Sequence, residues 1–300
     1  MRQKNADFII GEGEYFYSIL YSYLIHMIAG KPLIPVVHQM QPDMYRKNNA
    51  FHSLIYRHIY EKMHDVMIVH NDYNIGEFRS LFGDGIELYS IYNGVDVNSF
   101  YSTNIKEFDL VYIGEIGERK NSFIIPDLIS RLKYFKSNIK LVIVSHQGEI
   151  ERLKELIKNK NIDENVIFYD YVTEKRKREI LSQSKVMLFP SKYEGFGIVV
   201  AEALASGLPV IMFDVPSLRT FNRGVIKVEP YDLDKMIDEI KHILEDDAYR
   251  EQIGREGRKE AEERLDYSIV AKYMNEQLKK IAYKKWANDS IASLRYEKIH

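Results

Sequence analysis

Glu194 and Glu202 bracket seven residues in the stretch Phe189-Pro190-Ser191-Lys192-Tyr193-Glu194-Gly195-Phe196-Gly197-Ile198-Val199-Val200-Ala201-Glu202-Ala203-Leu204. The pattern predicts a strand ending at Phe189, a loop with two glycines, and a helix opening near Gly197. The first-turn N–H groups and positive dipole end of such a helix favour an anion such as a diphosphate, and glycine lets the backbone approach it closely. Glu202 falls inside the helix among almost wholly apolar neighbours. A carboxylate buried there is costly without a partner, so it must meet a protein cation or a ligand hydroxyl. Two hydroxyls on adjacent ribose carbons would suit it, and spacing alone leaves both partners open. Glu194, in the loop, reads by itself first as an ordinary solvated carboxylate, with a ligand contact as the alternative.

The elements that must position these residues alternate in βα fashion, the signature of α/β architecture around parallel sheets. Strands are expected at Ala6 to Ile10, Leu33 to Val37, Val66 to Val69 and Leu88 to Tyr92, with helices at about Glu14 to Ala29, Phe51 to Met63 and Tyr73 to Phe82. Asn93-Gly94 is a turn dipeptide, and the polar run Asn98 to Glu107 reads as a linker. A second series follows, with strands at Phe108 to Ile113, Ile139 to Val144, Val166 to Tyr169, Val186 to Phe189, Pro209 to Phe213 and Val225 to Val228. Its helices begin near Ser122, Glu149, Thr173 and Gly197. Six strands with crossovers make a complete doubly wound domain, whose ligands bind where the winding reverses. Three helices fill Tyr231 to about Lys285. The domains expected are residues 1–104, residues 105–266, and a terminal helical segment, 267–300.

Composition narrows the function classes. At 300 residues, 45% apolar and 12% aromatic, the chain can bury cores, and its net charge of −2 does not suggest a broad nucleic-acid surface. The absence of cysteine excludes a disulfide framework, a thiol nucleophile and a zinc–thiolate site. It fits a reducing, cytoplasmic setting. Met1-Arg2-Gln3-Lys4 is basic, but the apolar stretch after it stops at Glu12 and Glu14, unlike a cleaved signal. Tyr15 to Gly30 has no formal charge yet includes four tyrosines and His26. It is too short and polar to span a bilayer, which takes about 20 apolar residues, and is expected to be a helix buried in a domain.

Glu194 and Glu202 within Pro-Ser-x-x-Glu-Gly-Phe-Gly resemble the donor-site motif of retaining glycosyltransferases of family 4, the glycosyl transferases group 1, which have the GT-B architecture of two facing Rossmann-like domains. Asn93-Gly94-Val95-Asp96 resembles the family's interdomain segment, Ala205-Ser206-Gly207-Leu208-Pro209-Val210-Ile211 its turn into the next strand, and Leu265-Asp266-Tyr267-Ser268 the start of a helix crossing back to the first domain. The resemblance implies that Glu202 binds the ribose hydroxyls of a nucleotide-sugar donor, UDP-sugar or GDP-sugar, while Glu194 contacts sugar hydroxyls. Gly195, Phe196, Gly197 and Ile198 would hold the sugar and diphosphate. Lys120, in Gly114-Glu115-Ile116-Gly117-Glu118-Arg119-Lys120-Asn121, matches the lysine that neutralises the diphosphate, and His38 matches a histidine near the reacting sugar. The implied reaction is metal-independent and needs no cofactor. Its acceptor is a glycan, lipid or protein, with peripheral membrane contact following from a lipid acceptor.

Two departures stand out. The family's usual arginine after the glycine at Gly114 is Glu115 here, so Arg119 substitutes from the loop, Glu115 turns away, or donor binding is weakened. The chain also enters without the family's initial glycine-rich loop and about three strands, which implies a reduced N-terminal domain. A non-catalytic nucleotide-sugar-binding or scaffold relative, a homo-oligomer, and an enzyme active only with a partner chain therefore stay open. Asp232-Leu233-Asp234 reads as a helix N-cap with a dipole-matched acid rather than a metal motif. Lys175-Arg176-Lys177-Arg178 reads as a solvated helix face, with a membrane-surface or anionic-acceptor contact as the alternative. No histidine pattern supports a metal site.

Overall fold

The computed structural model describes residues 8–12, 16–31, 33–38, 66–85 and 87–296. They fall into two compact units, residues 1–93 with 270–300, and residues 94–269; the sequence reading had set its limits at residues 104 and 266.

The first unit holds a parallel sheet in the order β1-β2-β3-β4 (Ile9–Glu12, Leu33–Val37, Val66–Val69, Glu87–Ser90). Every residue of β2 is buried, as a continuous Leu-Ile-Pro-Val-Val run covered on both faces requires. Ile34, Val36, Ile68 and Ile91 form its core with Ile281 of the terminal helix Tyr267–Tyr296. Val270, Met274 and Leu278 of that helix pack on the same core, because a spacing of four places them on one helix face. The helix Phe16–Ala29 corrects an expectation of burial: Tyr17, Tyr21, Met27 and Ile28 are all exposed. It is apolar nearly all round but turns only one face to the sheet, where Ser22 lies so close to Gly11 that a Cβ there would come within 2.6 Å of its Oγ. The helix expected over Phe51 to Met63 lies outside the described residues.

The second unit holds a six-stranded parallel sheet in the order β10-β9-β8-β5-β6-β7. Its strands are β5 (Phe108–Ile113), β6 (Leu141–Val144), β7 (Val166–Tyr169), β8 (Ser184–Phe189), β9 (Val210–Phe213) and β10 (Val225–Val228). Winding runs outward from β5 through β6 to β7, then reverses from β8 to β10. The reversal leaves a crevice at the carboxyl ends of β5 and β8, the topological switch point of a doubly wound sheet. The loops leaving these two strands are Gly114 to Asn121 and Pro190 to Gly197, the segments singled out from sequence.

Thr173 caps its helix by accepting from the Arg176 N–H at 3.2 Å, and Asp232 caps Leu233–Glu245 by accepting from Lys235 at 2.9 Å. The π-helical turn Ala261–Leu265 ends the long helix Asp247–Glu260. Val95 then pairs with the chain beyond it, its N–H donating to Leu265 and its carbonyl accepting from Tyr267 at 2.8 and 3.0 Å.

The loop after β5 is tied down at Ile116. Its N–H donates to Gln147 at 2.9 Å and its carbonyl accepts from Glu149 at 2.8 Å, a one-residue parallel bridge to Gly148. Gly148 is left-handed, with φ of 89°, and a Cβ there would sit 1.8 Å from the Ile116 carbonyl oxygen. Gly148→Ala combines an unfavourable φ with a backbone collision, so it is expected to cost about 2 kcal/mol or more. Thermal unfolding checks this, an unchanged Tm being the contrary result.

Candidate functional site

The two loops at the β5/β8 crevice meet through a cluster of charges. Glu194 is buried, 5% exposed, and its Oε1 accepts from Lys120 Nζ at 2.6 Å and from Ser191 Oγ at 2.7 Å. Its own N–H donates to Ser217 Oγ at 3.1 Å, which fixes the turn that carries it. Lys120 Nζ also stands 5.2 Å from the centroid of the Phe189 ring, so its ammonium is held between a carboxylate and an aromatic face. Lys192 N–H donates to the Arg119 carbonyl at 3.0 Å, joining the two loops through their backbones.

Glu115, the departure from the expected arginine, neither leaves the site nor faces it alone. Its carboxylate accepts from Arg119 at 3.1 Å, and the other arm of that guanidinium lies 3.6 Å from Glu194 Oε2. Arg119 is therefore held between Glu194 and Glu115. Tyr112 beneath them donates to the Glu115 carbonyl at 2.7 Å; burial, and then the Glu194 charge, push its phenol well above the usual range.

Gly195, Phe196 and Gly197 are buried, while Ile198 is half exposed. Gly197 is the N-cap of Ile198–Ala205 in a left-handed conformation, φ 89°, and offers no capping side chain. The Val200 N–H of the first turn donates to the Gly197 carbonyl at 2.9 Å; those of Ile198 and Val199 have no partner within the helix and can meet an anion. Phe196 packs against Phe221 in a tilted arrangement, with ring centroids 5.4 Å apart.

Glu202 lies one turn into this helix and is 8% exposed. Oε1 accepts from Lys177 Nζ at 2.7 Å, whereas Oε2 is buried with no hydrogen-bond partner. Of the two partners that spacing left open, the protein cation is found, on one oxygen only. Burial pushes the Glu202 carboxyl upward, opposed by the Lys177 hydrogen bond and charge. Lys177 corrects the reading of the basic run as a uniformly solvated face. Its side chain is 16% exposed and bridges Glu202 and Glu174, the latter at 3.0 Å, while Lys175 is exposed. A basic residue within a charge run carries no local sign that its helix turns it inward; the buried glutamate of another helix supplies that sign only in three dimensions.

His38 belongs to the first unit, at the end of β2, where it is exposed and hydrogen bonded to His70 at 2.8 Å. At the amino ends of the second sheet's strands, opposite the charged loops, a cavity of about 630 Å³ is lined in part by Lys106, Lys185, Arg250 and Arg258. These cations are engaged by the Ser182 carbonyl, Asp109, Asp247 and the carbonyls of Val97 and Phe100. Among the described residues, no group of three or more histidines or carboxylates could hold a metal ion, and no helix is long and apolar enough to cross a membrane.

Residues 99–260, more than half of the chain, match the family model of the glycosyl transferases group 1. The chain belongs to this family. It is 28% identical over 162 residues to the O-antigen chain mannosyltransferase RfbU of Salmonella typhimurium, covering 53% of this chain and 45% of that one. It is 28% identical over 210 residues to the phosphatidyl-myo-inositol mannosyltransferase of Mycobacterium tuberculosis, covering 65% and 54%. The chain thus spans about half the length of the curated relatives it matches. Among solved structures it resembles Anabaena HepE in complex with UDP and glucose, with a TM-score of 0.79 at 15% identity over 90% of this chain and 78% of that one. That likeness bears on the fold: like its structural neighbours, the chain is an α/β protein of GT-B type with Rossmann-like parallel sheets.

Proposed function

We propose that this chain is a retaining glycosyltransferase of family 4, moving a sugar from a nucleoside-diphosphate sugar to an acceptor hydroxyl without a metal. The observation that carries this reading is the buried, unpartnered Oε2 of Glu202, set in the helix whose uncapped first turn opens on the β5/β8 crevice. A ribose hydroxyl donates to that oxygen, and the diphosphate lies toward the first-turn amides, Lys120 and Arg119. Charge developing on the departing diphosphate meets those cations. Glu194, released in part from Lys120 as the phosphate takes its place, turns an oxygen to the sugar hydroxyls. Glu115 keeps Arg119 in reach throughout.

Calorimetric titration of the chain with UDP, GDP, ADP and their common sugar conjugates tests this directly. Selective binding of one nucleotide, followed by transfer of its sugar to an acceptor, is expected. Binding of none overturns the donor site, and binding without transfer to any of a broad set of acceptors favours the non-catalytic reading.

Lys177 sets the pH range of this site. The ionised carboxylate of Glu202 is the form that accepts from ribose, so nucleotide affinity falls as pH drops through its pKa. Burial raises that pKa and Lys177 opposes the rise, with Glu174 adding to it and Arg178 subtracting from it. Lys177→Met removes the main opposing influence and is expected to shift the acid limb of nucleotide binding upward by about one pH unit or more. Titrations over roughly pH 5–8 measure it; a limb that stays in place, or moves to lower pH, contradicts the coupling.

A further inference from the structure

His38 and His70 occupy matching positions just beyond the ends of β2 and β3, since Val36 pairs with Ile68 and Val37 with Val69. Their rings lie 4.6 Å apart at 32°, with His70 Nε2 2.8 Å from His38 Nδ1. The other nitrogen of His70, Nδ1, lies 2.8 Å from the carbonyl of Ile91. A carbonyl can only accept, so His70 Nδ1 carries a hydrogen. His70 is 6% exposed, and burial holds its imidazole below the usual range; the Ile91 bond raises it, His38 lowers it, and Glu12 at the end of β1 raises it slightly. A neutral ring with hydrogen on Nδ1 has a lone pair on Nε2. The 2.8 Å contact is then a hydrogen bond only with His38 Nδ1–H donating.

We infer that His70 is a positioning residue that fixes the ring and tautomer of His38, leaving His38 Nε2 as an exposed hydrogen-bond acceptor for a hydroxyl of a substrate held at the carboxyl ends of β2 and β3. The ordering runs from a main-chain carbonyl through a buried ring to an exposed one: Ile91 C=O, His70 Nδ1–H, His70 Nε2, His38 Nδ1–H, His38 Nε2. Among the described residues Nε2 of His38 makes no hydrogen bond. Imidazole free in water prefers hydrogen on Nε2, so the arrangement inverts the default and converts the outward nitrogen from donor to acceptor. The identity of the hydroxyl rests on the function proposed above; the tautomer does not.

Long-range proton–nitrogen correlation spectra of the full chain labelled with 15N-histidine read the tautomer without reference to activity, with His38 and His70 assigned by the signals lost in His38→Gln and His70→Phe. The expected result near neutral pH is a neutral His70 and a His38 protonated on Nδ1, the latter reverting to the Nε2–H form in His70→Phe. A His38 carrying its hydrogen on Nε2 in the unaltered chain, a doubly protonated His70, or a His38 tautomer unchanged in His70→Phe would each overturn the inference. If His70→Phe does not fold, the spectrum of the unaltered chain still decides the tautomer. Where sugar transfer is measurable, His70→Phe should lower kcat by about ten-fold or more with nucleotide Kd unchanged, whereas unchanged kcat removes the functional half. Absence of transfer in the unaltered chain counts against the proposed function and leaves the tautomer result standing.

Discussion

Glu202→Gln should bind its nucleotide about 100-fold more weakly than the unaltered chain while folding normally. A hydroxyl donating to an ionised carboxylate contributes about 1.5–3 kcal/mol, roughly twice a neutral bond, and about 2.7 kcal/mol is a factor of 100. The glutamine keeps the shape, so cavity formation does not confuse the result. It also leaves Lys177 facing an amide oxygen, with Glu174 at 3.0 Å still neutralising its ammonium. That residual pairing is why stability should hold: the lysine is not stranded. Calorimetry with the free nucleoside diphosphate isolates the effect from the sugar. An affinity within about three-fold of the unaltered chain would mean that Oε2 meets no ligand and that Glu202 serves only to anchor Lys177.

Lys120→Met should lower turnover of the cognate donor by about 10²–10³-fold, the usual consequence of removing one preorganised group that stabilises developing negative charge. It should also lower stability, because Glu194 is then left buried with Ser191 and a guanidinium 3.6 Å away, and breaking one side of a buried ion pair costs about 3–5 kcal/mol. These effects can be separated. The double variant Lys120→Met with Glu194→Gln removes the stranded charge and should recover most of the lost Tm. If its turnover stays well below that of Glu194→Gln alone, the ammonium acts on the diphosphate. Turnover equal to that of Glu194→Gln alone would assign Lys120 a purely structural role.

The sequence was most readable where local pattern and tertiary need coincide. The run Leu33 to Val37 and the strand Phe108–Ile113 lie where their apolar, β-branched content put them, because strands buried on both faces need no alternation, and Val66–Val69 and Val166–Tyr169 lie where the same composition put them. The caps Thr173 and Asp232 were visible for the same reason, being contacts of a residue with its own next turn. Beyond that range the reading fails in a regular way. Lys120 meets Glu194 across 74 residues, Lys177 meets Glu202 across 25, and His70 meets His38 across 32. None of these separations has a period, since the sheet order that creates them is not written in any one segment. The helix Phe16–Ala29 shows the opposite error: its composition suggested burial, but one face on a sheet is all that a surface position offers it.

The charges at the β5/β8 crevice cancel. Lys120 and Arg119 face Glu194 and Glu115, two positive against two negative, linked by the pairs Arg119–Glu115, Arg119–Glu194 and Lys120–Glu194. Such a site casts almost no field beyond a Debye length, about 8 Å at physiological ionic strength, and so does not gather anions indiscriminately. Inorganic phosphate, lacking a nucleoside, meets cations already satisfied and gains little by displacing Glu194. In the function proposed above, a nucleotide sugar brings its ribose to Glu202 and its sugar to the freed carboxylate, and only then does exchanging one ion pair for another become favourable. On that reading, selectivity against the cell's abundant small phosphates is built into the resting charge balance of the protein.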